Sequence, residues 1–188
     1  MREKLLIIIV FFTLLAATAY AVSLEYTTTL LYFNIGVARD IRVLIYNAGS
    51  WDSATSGGTP TSDNIEFNCT AQECVWVNAT TVSGADTQDD SNPIIQIDNA
   101  GTVDAQVNIS LNASMPSGTC TMKLRYENDT ITYPPATSDL DTNNVTLIQD
   151  LKADDVYLDI WLFANFSGQC QTSDSDQRNL TIWADYAS

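Results

Sequence analysis

The 188-residue sequence contains no histidine, and only eight lysines and arginines oppose 23 aspartates and glutamates, which gives a formal net charge of −15. Without imidazole groups, Ser-His-Asp and Cys-His catalytic sets and histidine-ligated zinc or haem are excluded. A surface this acidic repels phosphate backbones, so we expect no nucleic-acid partner. Because 45% of the residues are hydrophobic and only 16% are charged, the chain is not a disordered acidic tail and should fold.

The N-terminus carries the features of a secretory signal peptide. Arg2 and Lys4 precede an apolar run over residues 5–15, and small residues follow up to an Ala-x-Ala cleavage pattern that ends at Ala21. An uncleaved membrane anchor is the less favoured alternative, because the apolar run is shorter than the roughly 20 residues of a membrane span. We therefore expect a protein that is secreted to the cell surface and has no membrane span after cleavage.

Three parts of the chain follow from this assignment. Residues 1–21 are the cleaved signal peptide, 22–35 form an N-terminal strand, and 36–188 form one domain. Type IV pilins also begin with a hydrophobic stretch, but in them this stretch continues as a long helix. Residues 24–32 are instead rich in threonine and tyrosine, which favour strands.

The four cysteines become interpretable once export is assumed. Cys69, Cys74, Cys120 and Cys170 are an even set in an oxidising compartment, which predicts two disulfides with three connectivities open. Pairing Cys69 with Cys74 would close a tight loop, and Cys120 would then bond Cys170, before the last strand. A four-thiolate metal site is disfavoured because its usual Cys-x-x-Cys pairs are missing, and no metal site or cofactor is expected.

Asparagine gives a second indication of export. The pattern Asn-x-Ser/Thr, the acceptor for N-linked glycans, occurs eight times, whereas random placement of these residues gives about three. In residues 106–111, Val107 and Ile109 alternate with Asn108, which predicts that this asparagine lies on the solvent-facing side of a strand. We expect glycans among the candidates Asn68, Asn78, Asn108, Asn112, Asn128, Asn144, Asn165 and Asn179.

Short alternating segments predict an all-β fold, an immunoglobulin-like or jelly-roll-type β-sandwich. Clusters of glycine, proline, serine and asparagine separate these segments, and no segment has the periodicity of a helix. The predicted strands are residues 24–33, 40–46, 64–67, 74–82, 93–98, 106–112, 121–126, 130–133, 144–151, 156–165 and 179–185.

Three of the four tryptophans fall on the polar faces of their predicted strands. In residues 156–163, Leu158, Ile160 and Leu162 share one face, which leaves Trp161 and Phe163 on the other. Trp76 and Trp183 are placed in the same way. The favoured interpretation is that another segment covers these rings or that a bulge reverses the alternation. The alternative is an outer aromatic surface for subunit contact or sugar stacking.

The N-terminal strand also suggests a way to assemble. It would begin only a few residues after the cleavage point, and it is strongly apolar. Such a strand can add to the open sheet edge of a neighbouring subunit, or it can be the first strand of its own sandwich, and both interpretations remain open. The candidate interface residues are Val22, Leu24, Tyr26, Leu30, Tyr32, Phe33 and Ile35.

Two regions resemble known surface proteins. Residues 95–111, with the turn Asn99-Ala100-Gly101, resemble a strand-turn-strand hairpin of secreted immunoglobulin-like domains in prokaryotic surface proteins. Residues 151–166, followed by 178–182, are similar to the closing strands of archaeal exported β-sandwich proteins. The resemblance implies membership of surface layers, or of threads and bundling pili that polymerise through donor strands.

We therefore expect no enzyme but an extracellular structural subunit of a glycosylated filament or surface layer. Its partners would be copies of itself, together with other surface proteins or glycans. The alternative is a carbohydrate-binding or adhesion module that uses Trp51, Trp76, Trp161 and Trp183. A hydrolase that uses only carboxylates is a more distant alternative.

One acidic segment has part of the residue spacing of a calcium-binding loop. It contains Asp139, Asp141 and Asn143, with Asp150 eleven positions after Asp139. Asn144 stands where such a loop needs glycine, and Asp150 replaces the bidentate glutamate. A solvated turn is therefore favoured, with weak cation binding as the alternative.

Overall fold

The structure is a computed structural model that describes residues 27–36, 41–47, 49–54, 64–81, 87–128, 135, 137, 139–153, 157–171, 174 and 176–186. These residues form an all-β fold, as the alternating pattern predicts. The strands are β1 (Thr27–Gly36), β2 (Ile41–Asn47), β3 (Ser50–Ser53), β4 (Ile65–Cys69), β5 (Cys74–Asn78), β6 (Thr80–Thr81), β7 (Ile95–Asn99), β8 (Ala105–Leu111), β9 (Cys120–Asn128), β10 (Val145–Leu151), β11 (Leu158–Gly168) and β12 (Asp176–Tyr186).

The strands make two six-stranded sheets. Sheet I has the order β10-β8-β12-β1-β4-β6, and β1 runs parallel to β12 but antiparallel to β4. Sheet II has the order β3-β2-β7-β11-β5, with β9 also paired to β11. Apart from the pairing of β1 with β12, the strand pairs described are antiparallel.

One hydrophobic core lies between the sheets. Ile109 of β8 and Ile182 of β12 come from sheet I, Ile97 of β7 and Leu162 of β11 come from sheet II, and all four are fully buried in the same cluster. Aliphatic side chains at every second position of a strand produce this arrangement, because successive side chains point to opposite faces. The two sheets therefore pack face to face as a sandwich.

Gln88 closes a gap in sheet II. Along one edge of β11, β7 pairs with Leu158–Ile160 and β5 with Phe163–Phe166, and among the described residues no strand lies between them. The side chain of Gln88, 1% exposed, fills this position: its Nε2 donates to the Leu162 carbonyl at 2.6 Å, and its Oε1 accepts from the Leu162 amide at 2.9 Å. A side-chain amide thus supplies the donor and acceptor of a missing strand residue.

The strand predictions were wrong in three places. The segment 50–53 forms β3, although it lacks an apolar alternation. Residues 95–111 do not form a hairpin: β7 pairs with β2 and β11 in sheet II, whereas β8 pairs with β10 and β12 in sheet I. Residues 74–82 are divided into β5 and β6, which lie in different sheets. The predicted strand 130–133 and signal peptide 1–21 lie outside the described residues.

A β-bulge explains the position of Trp76. Cys74 pairs with Phe166 and Val77 with Ala164, so β5 has one more residue than β11 between these pairs. Trp76 within this bulge has φ of 50°, a left-handed conformation uncommon for a residue with a side chain. In a regular strand, residues three positions apart point to opposite faces. The extra residue in the bulge instead lets Cys74 and Val77 point to the same face, where both pack against the core.

Candidate assembly site

The N-terminal strand lies in the interior of sheet I of its own chain. The register pairs Phe33 with Leu180 and Ile35 with Ile182 in β12, and Leu30 with Glu66 in β4. The side chain of Leu31 is fully buried, and its residue pairs with Ile65, which is also fully buried. Among the predicted interface residues, Leu30, Tyr32, Phe33 and Ile35 are in β1, and Val22, Leu24 and Tyr26 lie outside the described residues.

We call the space that β1 fills between β12 and β4 the β1 slot. Without β1, β12 and β4 would each present an unpaired row of backbone amides and carbonyls. The core beneath would also lose the cover of Leu31. The slot therefore requires a strand, and its hydrogen bonds do not depend on which chain supplies that strand.

The two ends of the sandwich differ. At one end, which we call the linker end, β1 finishes at Gly36 and β2 begins at Ile41, which pairs with Asn99. The loop 100–104 lies at this end, where Asn99 Nδ2 donates to the carbonyls of Val103 and Leu151, both at 2.9 Å. At the opposite end, the disulfide end, β1 and β12 begin and β4 finishes at Cys69.

Both disulfides stand at the disulfide end. Cys69 of β4 bonds Cys74 of β5, and so connects sheet I to sheet II. Cys120, the first residue of β9, bonds Cys170, which follows β11 and donates its amide to the Gln72 carbonyl. Of the three connectivities left open by the sequence, the structure forms this one. No free cysteine occurs among the described residues.

The glycosylation candidates fall into classes that the sequence pattern does not separate. Asn68, Asn112 and Asn144 are exposed. Asn68 adjoins Cys69, Asn112 follows the last residue of β8, and Asn144 precedes the first residue of β10. β8 starts and β10 finishes at the linker end, where Ala105 pairs with Leu151, so Asn112 and Asn144 lie at the opposite end of sheet I. Asn68 lies at that same end, because β4 finishes where β1 begins.

The prediction that Asn108 faces solvent was wrong. Its residue is only 4% exposed. Its Nδ2 donates to Asp185 Oδ2 at 3.3 Å, and its Oδ1 accepts from Thr146 Oγ1 at 2.8 Å and Gln106 Nε2 at 3.1 Å. The alternation placed Asn108 on the correct, outer face, but neighbouring strands cover it there: it pairs with Trp183 of β12 on one side and Thr146 of β10 on the other.

The remaining candidates are half-buried. Asn78 Nδ2 donates to the Gln88 carbonyl at 3.2 Å, and Asn128 Nδ2 donates to the Leu147 carbonyl at 3.1 Å, so both amides are already in use. Asn165 lies in β11 opposite Lys123. Asn179 lies in β12, and its backbone amide donates to Asn112 Oδ1 at 2.8 Å.

The outward-facing tryptophans of sheet II are covered by the same chain. Trp76, Trp161 and Phe163 form a second buried cluster, with Trp76 9% and Trp161 5% exposed. Trp161 Nε1 donates to the Asp89 carbonyl at 2.8 Å, and the Arg125 guanidinium lies 4.6 Å from the Trp76 ring centroid. The interpretation that another segment covers the rings is therefore confirmed for these two tryptophans.

The other two tryptophans do not form a common sugar-stacking surface with Trp76 and Trp161. Trp51 of β3 packs against Tyr46 of β2 with ring centroids 5.2 Å apart, and Trp183 lies in β12. Both are half-buried, and they belong to different sheets. Stacking on one sugar by all four rings is excluded by this placement, because two are buried and the others stand on separate sheets.

The acidic segment after β9 forms ion pairs. Asp139 accepts from Lys123 Nζ at 2.8 Å and Arg125 Nε at 2.7 Å, whereas Asp150 pairs with Lys152. Burial acts to raise the pKa of Asp139, but the hydrogen bonds from Lys123 and Arg125 outweigh it and hold that pKa below its usual value. In the described part of the chain, no group of three or more potential metal-ligating side chains gathers.

Within the described ranges, no helix is long and apolar enough to cross a membrane. The two disulfides indicate an oxidising compartment. No family model, curated protein or solved structure matches this chain.

Proposed function

We propose that this protein is an extracellular structural subunit of a glycosylated cell-surface assembly, held together by exchange of β1 between subunits. The observation that carries the proposal is the position of β1. β1, the first strand of the described residues, is an interior strand of sheet I, and only residues 37–40 join it to β2. An interior strand forms two rows of backbone hydrogen bonds, so the filled β1 slot is much more stable than the empty one. This stabilisation is the same whichever chain provides the strand.

Exchange preserves every contact of the slot. A β1 from a second copy has the same sequence, so it makes the same pairs with Arg178 and Ile65 through Leu31. The difference in free energy between the closed and the exchanged forms therefore comes from the linker, from new contacts between the subunits and from subunit concentration. High local concentration at a cell surface favours the exchanged form.

The direction of β1 sets the arrangement of the joined subunits. Because β1 lies parallel to β12, its final residue Gly36 is at the linker end of the subunit that receives it. The donor's Ile41 is also at the donor's linker end, and the five backbone steps between Gly36 and Ile41 span at most about 18 Å. Exchange in this register brings like ends together. It supports a layer of subunits standing side by side or a closed pair, and a head-to-tail filament would require β1 to enter in the opposite direction.

A cysteine pair across the slot tests the exchange. Leu30 and Glu66 are directly paired on β1 and β4, and antiparallel pairs have Cα separations of about 4.5–5.5 Å, which a disulfide can bridge. We expect the double variant Leu30→Cys/Glu66→Cys, assembled in its native setting and oxidised, to form covalent dimers and larger species. Gel electrophoresis without reductant measures them.

The matched control is Leu44→Cys/Ser53→Cys, a pair on β2 and β3. Only residues 48 and 49 separate these strands, so the bond must form within one chain and leave monomers. Strand exchange is refuted when assembled Leu30→Cys/Glu66→Cys material also runs entirely as monomers with its new disulfide closed.

A further inference from the structure

The exposed asparagines of the acceptor pattern are unevenly distributed over the sandwich. Asn68, Asn112 and Asn144 all lie away from the linker end, toward the half that carries the disulfides. The linker end instead exposes two of the large hydrophobic side chains of the described chain, Val103 (52%) and Tyr157 (45%). A glycan is bulky and hydrated, so its position determines which surfaces remain free for protein contact.

We propose that N-linked glycans are attached at Asn68, Asn112 and Asn144 and are excluded from Asn108, so that one half of the molecule bears sugar and the linker end stays bare. The inference rests on the proposed function only in requiring export to a compartment with a glycosyltransferase. It assigns a modification to particular side chains of this chain.

The chemistry explains the selection. In the transfer, Asn Nδ2 attacks the anomeric carbon of a sugar carried on a phosphate ester. The N–C bond forms, the C–O bond breaks with its electron pair remaining on the departing carrier phosphate, and that phosphate takes up the proton that Nδ2 loses. The product has a saccharide on Nδ2. At Asn144 and Asn112 that saccharide would extend into solvent, because both residues are exposed.

At Asn108 the same product is incompatible with the fold. Its Nδ2 is 3.3 Å from Asp185 Oδ2, and the residue is 4% exposed between β10 and β12. A saccharide there would displace Asp185 and Trp183 and remove the hydrogen bond. Asn78 and Asn128 are disfavoured for a related reason, since each is half-buried and its Nδ2 donates to a backbone carbonyl. Asn68 Nδ2 also donates, to Glu66 Oε1 at 3.0 Å, but Asn68 is exposed, so a saccharide there would extend into solvent.

The bare end is also the end at which strand exchange would join subunits. Like ends of an acidic protein repel one another, and hydrated glycans at that end would hold them further apart. Glycans confined to the other half avoid this obstacle. Val103 and Tyr157 would then be available for contact between two copies of the chain.

Site-specific mass spectrometry of glycopeptides from the native exported protein tests the inference. We expect saccharide at Asn68, Asn112 and Asn144 and an unmodified Asn108. The variant Asn144→Gln should lose the mass of one glycan, whereas Asn108→Gln should lose none.

Saccharide on Asn108, or bare Asn68, Asn112 and Asn144 in a protein glycosylated elsewhere, would overturn this distribution but leave strand exchange standing. A native protein with no saccharide at any site would overturn both this inference and the glycosylated part of the proposed function. The cysteine pair of β1 and β4 reports on exchange independently of either result.

Discussion

Removing the disulfide between Cys120 and Cys170 should lower the free energy of unfolding by about 4 kcal/mol, because it releases a closure of 50 residues in the unfolded chain. The double variant Cys120→Ala/Cys170→Ala makes this change without leaving a free thiol. Denaturant unfolding monitored by tryptophan fluorescence measures it, since Trp161 leaves a buried site on unfolding.

The bond between Cys69 and Cys74 provides the comparison. It spans only five residues, for which the same chain-entropy relation gives about 2 kcal/mol. Cys69→Ala/Cys74→Ala should therefore destabilise the protein by about half as much. Equal losses from the two double variants would show that local packing at the disulfide end, rather than closure of the long loop, determines the contribution of Cys120–Cys170.

The second large effect is expected at Gln88. Gln88→Ala removes both hydrogen bonds to Leu162, and the buried Leu162 amide then has no acceptor among its described neighbours. The Leu162 carbonyl still accepts a hydrogen bond from the Ala79 amide at 3.3 Å. A buried donor left unsatisfied costs about 1–3 kcal/mol, and the lost packing adds to it, so we expect a total of about 3 kcal/mol.

Gln96→Ala is the matched control. Gln96 is half-buried, and its Nε2 donates to Asp159 Oδ1 at 2.8 Å, a side-chain partner that water can reach. Its loss should cost about 1 kcal/mol. Hydrogen exchange adds a local measurement, because the Leu162 amide should exchange faster in Gln88→Ala than in Gln96→Ala. Similar stability and similar exchange in the two variants would refute the role of Gln88 as a strand substitute.

Local alternation in the sequence predicted most strands but not their partners. Val107, Ile109 and Leu111 are buried as expected from their spacing in β8. The same segment was predicted to pair with β7, its neighbour in sequence, whereas its partners β10 and β12 come from much later in the chain. Pairing across such distances depends on which faces complete a common core, and no local pattern specifies that.

Burial on an outer face depends on lateral neighbours in the same way. Alternation placed Asn108 opposite the core correctly, but Trp183 and Thr146 on adjacent strands cover it. The ring of Trp161 is covered because Asp89 lies in a segment that returns over sheet II. A carbonyl acceptor 72 residues away leaves no signal in the local sequence.

The bulge at Trp76 shows a third limit of the sequence pattern. Strict alternation places Val75 and Val77 on one face, yet Val75 is 67% exposed and Val77 packs against the core. One extra residue in β5 changes the face of every residue on one side of it. The requirement that Cys74 reach Cys69 in the other sheet is consistent with this bulge, and sequence spacing alone does not indicate it.

In the proposed exchange, β1 of one subunit occupies the β1 slot of another. Electron cryo-microscopy of the native surface assembly tests it most directly, by following the backbone from Gly36 to Ile41. We expect continuous density that leaves the slot between β12 and β4 of one subunit and enters β2 of its neighbour at their adjoining linker ends. Density that connects each β1 to the β2 of its own subunit throughout the assembly would contradict the account.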